Sequence, residues 1–137
     1  MAEQDFEPLK KLLSDPDVMR YLEPPYNEKQ TAAFLQAALS ENPPVYTAEL
    51  DGVFIGYVIY HLYEEDSMEF GWVLLPEYWG KGYASDLTEQ MIRMAAAGGK
   101  AAIIECDPRQ EITRHIAVKY GFARTESRDG LDVYRFS

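Results

Sequence analysis

The apolar residues of this chain change period repeatedly between helical and strand spacing, which excludes both an all-helical bundle and an all-β sandwich. Phe6, Leu9, Leu12 and Leu13 stand at helical spacing, and Asp15-Pro16-Asp17 ends that short helix. After the Pro24-Pro25 link, Asn27 and Gln30 are spaced as a capping box for a second helix, with Ala33, Phe34, Ala37 and Ala38 as its inner stripe and Pro43-Pro44 as its stop. The period then shortens: Val45–Leu50 and Val53–Tyr60 read as strands joined by an Asp51-Gly52 hairpin turn. Beyond the polar turn Glu64-Glu65-Asp66, Ser67–Leu75 reads as a third strand, with Glu69, Gly71, Val73 and Leu75 on one face and Met68, Phe70, Trp72 and Leu74 on the other. Helical spacing returns over residues 84–97, with Leu87, Met91, Met94 and Ala95 inward and Gly98-Gly99 as the stop. Ala101–Cys106 has the near-continuous apolar character of a buried strand. Asp107, Pro108 and Gln110 start a last helix striped by Ile112, Ile116 and Tyr120 and closed by Gly121. Phe122–Thr125 and Leu131–Phe136 form a hairpin across Asp129-Gly130. The order predicts an α/β fold with a single mixed, mostly antiparallel central sheet flanked by helices, in one domain spanning residues 1–137.

A chain of 137 residues suits one domain and buries enough surface to need no covalent staple. Its one cysteine, Cys106, rules out an intramolecular disulfide and a zinc cluster and points to a cytoplasmic protein. The net charge is −10, and all of the excess lies in residues 1–69, with 4 basic and 14 acidic side chains against nine of each in residues 70–137. An acidic surface repels phosphate backbones and anionic lipid, so neither nucleic acid nor a membrane surface is expected as a partner. The N-terminal residues lack the zones of a signal peptide, and no apolar run reaches the ~18 residues of a membrane span. His61 and His115 have no sequence-near partner for a triad or a metal site.

The segment Glu77-Tyr78-Trp79-Gly80-Lys81-Gly82-Tyr83-Ala84-Ser85 joins a strand to a helix. Glycines there allow successive N–H groups to converge, and the helix N-terminus adds positive charge, which together make a cradle for an anion such as phosphate. It is neither a Walker loop nor a dinucleotide fingerprint, since the spacing of Lys-Ser/Thr and the third glycine are absent. Gly-x-Gly alone is equally compatible with a tight, ligand-free turn.

The stretch Glu69–Leu87 resembles the acetyl-coenzyme A motif of the GNAT superfamily of N-acetyltransferases. That motif ends in Q/R-x-x-G-x-G/A, which falls on Trp79, Gly82 and Ala84, with Trp in place of Gln/Arg. Pro-Glu-Tyr-Trp-Gly-Lys-Gly-Tyr-Ala is similar to the branch of ribosomal-protein N-terminal acetylases, whose N-x-x-S and Gly-Phe signals fall on Gln110, Thr113 and Gly121-Phe122. The resemblance covers roughly residues 45–137. It implies a GNAT-like fold from which the first edge strand is missing, since Met1–Gln4 leaves no room for it; the sheet lacks that strand, or a homodimer contact compensates.

The resemblance implies acetyl-CoA as co-substrate. The main chain of Val73, Leu74 and Leu75 then pairs with the pantetheine arm, the N–H groups of Gly80, Lys81, Gly82, Tyr83, Ala84 and Ser85 hold the pyrophosphate beside Trp79, and Gln110, Lys119 and Arg114 assist. Glu69 stands where several family members carry a catalytic glutamate, a plausible base for the acceptor amine; pairing with a basic neighbour is the other use of such an acid. The family's acid tyrosine falls on Ala117, leaving Thr113 and Tyr120 as substitutes. Tyr21, Tyr26 and the Tyr63–Asp66 turn are expected around the acceptor, a small cationic amine or a peptide N-terminus. The competing reading is a catalytically weak or inactive acyl-CoA-binding module, and a nucleotide-binding fold is a third.

Overall fold

The computed structural model describes residues 1–137, which run α1 (Phe6–Leu13), α2 (Pro16–Met19), α3 (Glu28–Ala38), β1 (Val45–Leu50), β2 (Val53–Glu64), β3 (Ser67–Leu74), α4 (Tyr83–Ala97), β4 (Ala101–Cys106), α5 (Glu111–Lys119), β5 (Ala123–Arg128) and β6 (Leu131–Phe136). Single 3-10 turns occupy Glu3–Asp5 and Pro76–Tyr78. The six strands form one mixed sheet in the order β1-β2-β3-β4-β6-β5. Its parallel ladder joins β3 to β4, while β1–β2, β4–β6 and β5–β6 run antiparallel. As expected, α1 precedes every strand and β1 stands at one end of the order.

The chain divides into two compact units, Met1–Ile59 with Trp72–Tyr83, and Tyr60–Gly71 with Ala84–Ser137. In the first, Leu9, Leu12 and Leu13 of α1 and Leu35 and Ala38 of α3 pack with Val45, Phe54, Tyr57, Val73 and Leu75. Each fully buried leucine contributes about 1.5–3 kcal/mol. The α3 capping box forms in both directions, with Gln30 N donating to Asn27 Oδ1 (2.8 Å) and Asn27 N to Gln30 Oε1 (2.9 Å). The buried stripe of α3 is Thr31, Leu35 and Ala38, with Phe34 half-buried, whereas Ala33 and Ala37 are exposed. The longer Leu35 and the hydroxyl of Thr31, which donates to Asn27 O (3.0 Å), take the inner face from the alanines. Asp15-Pro16-Asp17 does more than end α1: Asp15 caps a further turn, α2, by accepting from Asp17 N at 2.8 Å.

In the second unit Phe70, Phe122 and Phe136 stack at 5.9 and 5.6 Å among buried Ile103, Ile104, Ile116 and Val133. On α4 the inward residues are Thr88, Met91 and Ala95, while Met94 is half exposed. Thr88 satisfies its hydroxyl on Ala84 O at 2.8 Å, which lets a polar residue sit in the core. Asp107, Arg109 and Gln110 form a turn of their own, Gln110 Oε1 accepting from Asp107 N (2.9 Å), and α5 begins only at Glu111. Ile112 therefore lies in the first turn of the helix, 73 % exposed, while Ile116 and Ala117 a turn further on are buried. β2 is longer than its alternation suggests and ends at Glu64, and β5 runs to Arg128. Both hairpin turns have two central residues at positive φ, Asp51-Gly52 (51° and 81°) and Asp129-Gly130 (53° and 81°).

Candidate active site

In the first unit the end of β3 leads into the glycine loop. Leu75 N donates to Ile55 O (2.9 Å) on β2, so Leu75 turns its N–H toward that neighbour. By the two-residue alternation of a strand, Leu74 turns its main chain to the opposite edge. Gly56 explains why β2 approaches so closely: a Cβ there would stand 2.1 Å from Val73 O and 2.8 Å from Leu74 Cα. Pro76 starts a 3-10 turn in which Tyr78 N bonds Leu75 O (2.9 Å) and Trp79 N bonds Pro76 O (3.0 Å). The Trp79 indole N–H then folds back onto Leu74 O at 2.9 Å, fastening the loop to the strand. Trp79 thus supplies a side-chain donor where the family motif has Gln or Arg, and spends it on the protein's own backbone.

Gly80 (φ 71°) and Gly82 (φ 86°) take the left-handed conformation that lets the intervening N–H groups turn together. A Cβ built on either meets no atom within 4 Å, so the space over both is open. The loop runs directly into α4, a 15-residue helix whose first-turn N–H groups have no partner within the helix. A pyrophosphate fits this arrangement of main-chain donors and open space. Lys81 is exposed with Nζ 6.0 Å from the Tyr78 ring centre, and Tyr78 stacks on Tyr83 at 6.1 Å. Ala84 and Ser85, half-buried, belong to the first turn of α4.

A cleft of about 510 Å³ in the same unit is lined by Glu23, Pro24, Tyr26, Gln30, Ala33 and Phe34. Tyr26 meets Phe34 edge-on at 6.3 Å, and Phe34 rests on buried Tyr57 at 5.1 Å. The Tyr26 hydroxyl donates to Glu23, and that bond together with burial pushes its pKa up to about 12. Tyr26 is therefore part of an aromatic cleft with a carboxylate at its mouth; Tyr21 is half-buried and outside the lining.

In the second unit Glu69 is half-buried on β3 opposite Ile103. Burial, and secondly the charge of Glu105, hold its carboxyl above the usual carboxylate range, and His61 opposes them. His61 Nε2 lies 3.3 Å from Glu69 Oε1. Glu105, two residues beyond Ile103 and so on the same face, accepts the Tyr63 hydroxyl at 2.6 Å. Arg128 donates to that hydroxyl (2.9 Å) and to Glu126 (2.6 Å). Burial and the bond to Glu105 raise the Tyr63 hydroxyl to about 12, leaving it a proton donor at neutral pH. Sequence reasoning singled out Glu69 and Tyr63 but missed His61, Glu105 and Arg128. The signal for His61 was the alternation of β2 carried four residues further, since the tight turn after Glu64 brings the end of β2 past the start of β3.

Just past the end of α5, Tyr120 donates to Glu89 Oε1 of α4 at 3.2 Å, and Lys119 Nζ lies 5.4 Å from the Tyr120 ring centre. Thr113 is half-buried and Ala117 fully buried, so the position of the family's acid tyrosine holds a small core residue. Arg114 donates to Tyr134 (3.3 Å) and to Pro108 O (3.0 Å). Gln110 is half-buried with its oxygen committed to Asp107 N. Three hydrogen bonds from Arg109, two from its guanidinium and one from its main-chain N–H, hold the Asp107 carboxyl down to about 2. Cys106 is buried, its thiol raised to about 11, and inert.

The first unit carries a glycine loop open over Gly80 and Gly82, and the second a half-buried glutamate whose proton affinity burial raises, two features that recur in group-transfer enzymes. Residues 1–123 match the family described as Acetyltransferase (GNAT) domain, and the chain belongs to that family. It is 26 % identical over 127 residues, 88 % of this chain and 75 % of the other, to the uncharacterized N-acetyltransferase YnaD of Bacillus subtilis. The crystal structure of a GNAT-family acetyltransferase from Bacillus anthracis is 25 % identical and superposes with a TM-score of 0.80, covering 96 % of this chain and 87 % of that one. The structure of yncA, a putative acetyltransferase from Salmonella typhimurium with its cofactor acetyl-CoA, is 18 % identical with a TM-score of 0.68, over 98 % and 88 % of the two chains. No helix is long and apolar enough to cross a membrane. The family's reaction is acetyl transfer from acetyl-CoA.

Proposed function

We propose that residues 1–137 act as one N-acetyltransferase domain that acetylates a primary amine, a small cationic amine or a peptide N-terminus, by direct attack in a ternary complex. The observation that carries this reading is the open Gly80–Gly82 loop at the head of α4. Acetyl-CoA supplies the activated acetyl thioester. The N–H groups of Gly80 to Ser85 hold its pyrophosphate, Trp79 keeps the loop against β3, and Leu74, whose main chain faces away from β2, is the strand residue that holds the pantetheine arm and donates its N–H toward the developing oxyanion. Val73 and Leu75 on either side of it anchor the strand by burying their side chains in the core of the first unit.

Glu69 takes the proton of the acceptor ammonium. Its raised proton affinity suits that task, because a base poised nearer neutrality holds the abstracted proton better than an ordinary carboxylate. Thr113 on α5 and Tyr120 at its C-terminal end are the two hydroxyls for the leaving thiolate, and kcat of Thr113→Ala against Tyr120→Phe separates them. The Tyr26–Phe34–Glu23 cleft suits a cationic acceptor with an apolar body, since aromatic faces and a carboxylate favour a cation together. A thiol-release assay across a panel of primary amines tests the reading. Amine-dependent release that falls at least ~100-fold in Glu69→Gln is expected. Tight coenzyme A binding with release no higher than the Glu69→Gln background for every amine would favour the inactive binding module instead.

A further inference from the structure

The ring of His61 is held in one orientation by two contacts, Nδ1 to Leu62 O at 3.0 Å and Nε2 to Glu69 Oε1 at 3.3 Å. A carbonyl only accepts, so the first contact places the proton of the neutral ring on Nδ1 and leaves Nε2 with a lone pair. An ionised Glu69 also only accepts. Two lone pairs facing each other at 3.3 Å repel, so a proton that Glu69 takes up comes to lie between them, either as carboxylic acid and neutral imidazole or as carboxylate and imidazolium. Glu69 is the enclosed partner, its side chain 19 % exposed, and His61 the open one at 43 %.

The remaining charged groups on this face are already engaged. Glu105 accepts from Tyr63, Arg128 pairs with Glu126, and Arg135, in the row Glu69–Ile103–Arg135, is bound by Asp66 at 2.9 Å. Among these side chains His61 is the one that offers Glu69 a basic lone pair.

We infer that His61 is the proton exit of the acetyl-transfer site, a positioning residue that takes from Glu69 the proton Glu69 has removed from the acceptor. The inference rests on the reading of Glu69 as base. The balance is closed: an ammonium acceptor and an acetyl thioester give an amide, a thiol and one proton, as the C–N bond forms, the C–S bond breaks and the sulfur is protonated. The surplus proton passes from Glu69 Oε1 to His61 Nε2, and the exposed imidazolium returns it to water, restoring the Nδ1–H tautomer.

Two measurements test this. In wild-type protein at high pH, long-range 15N–1H correlation spectra should show His61 protonated at Nδ1; an Nε2–H ring would overturn the inference whatever the protein acetylates. In steady-state assays, His61→Gln should lower kcat about 10-fold, less than the ~100-fold or greater loss in Glu69→Gln. KM for the amine should be unchanged, and added imidazole should restore the rate. A kcat loss in His61→Gln that imidazole does not restore, or no loss while Glu69→Gln is impaired, overturns the proton exit alone. A wild-type rate in Glu69→Gln removes the base and the exit with it.

Discussion

At the scale of the residue, the chemistry of Glu69 is set by its surroundings. Burial raises its proton affinity first and the Glu105 carboxylate adds to it, while His61 acts in the opposite sense. The carboxylate is the active base, so a raised value moves the acid limb of kcat/KM to higher pH than an isolated glutamate would give. Glu105→Gln removes a negative neighbour yet keeps an acceptor for Tyr63, so Glu69 releases its proton more readily and the acid limb should move to lower pH. A pH profile of kcat/KM for the two proteins checks this, and an unmoved limb would show that Glu69 is not the group titrating in it. Glu69 was legible in the sequence because an acid among apolar residues of a central strand is rare. His61 was not, because its partner lies across a turn and the relation exists only once β2 is seen to continue to Glu64.

At the scale of the element, the glycine loop and the close approach of β2 to β3 can be tested separately. Gly80→Ala imposes a positive φ on a residue with a Cβ, at a cost of about 1 kcal/mol, and fills space that no protein atom occupies. Its thermal stability should fall slightly while its coenzyme A affinity falls about 10-fold or more, equal to one charge-assisted hydrogen bond lost. Calorimetric titration against coenzyme A reads the second effect, and unchanged affinity would remove the anion cradle. Gly56→Ala places a Cβ 2.1 Å from Val73 O, so the strands must part. It should cost about 1–3 kcal/mol of stability, as overpacking does, measured by urea unfolding. Local signals such as the Asn27–Gln30 box and the two Asp-Gly turns were readable, since each is decided within four residues. The faces of the last helix were not. Asp107, Pro108 and Gln110 satisfy a helix-start pattern, but they close a separate turn, so α5 starts at Glu111 and Ile112 falls in its exposed first turn.

At the scale of the molecule, the charge is divided along the sequence, with all ten excess negative charges in residues 1–69. That stretch holds the Glu23–Tyr26–Phe34 cleft. A cationic acceptor is attracted to such a surface over distances that salt shortens, from about 10 Å at 0.1 M to about 3 Å at 1 M. KM for a cationic amine should therefore rise with ionic strength while KM for a neutral-bodied competitor stays level. An insensitive KM would reduce the asymmetry to a solubility feature. The central claim is acetyl transfer to an amine, and the most direct measurement is mass spectrometry of the amine panel after incubation with acetyl-CoA, with free thiol counted in parallel. Acetylated amine and thiol are expected in equal amounts, both lost in Glu69→Gln. Coenzyme A bound without any acetylated amine, or thiol released without it, would contradict it.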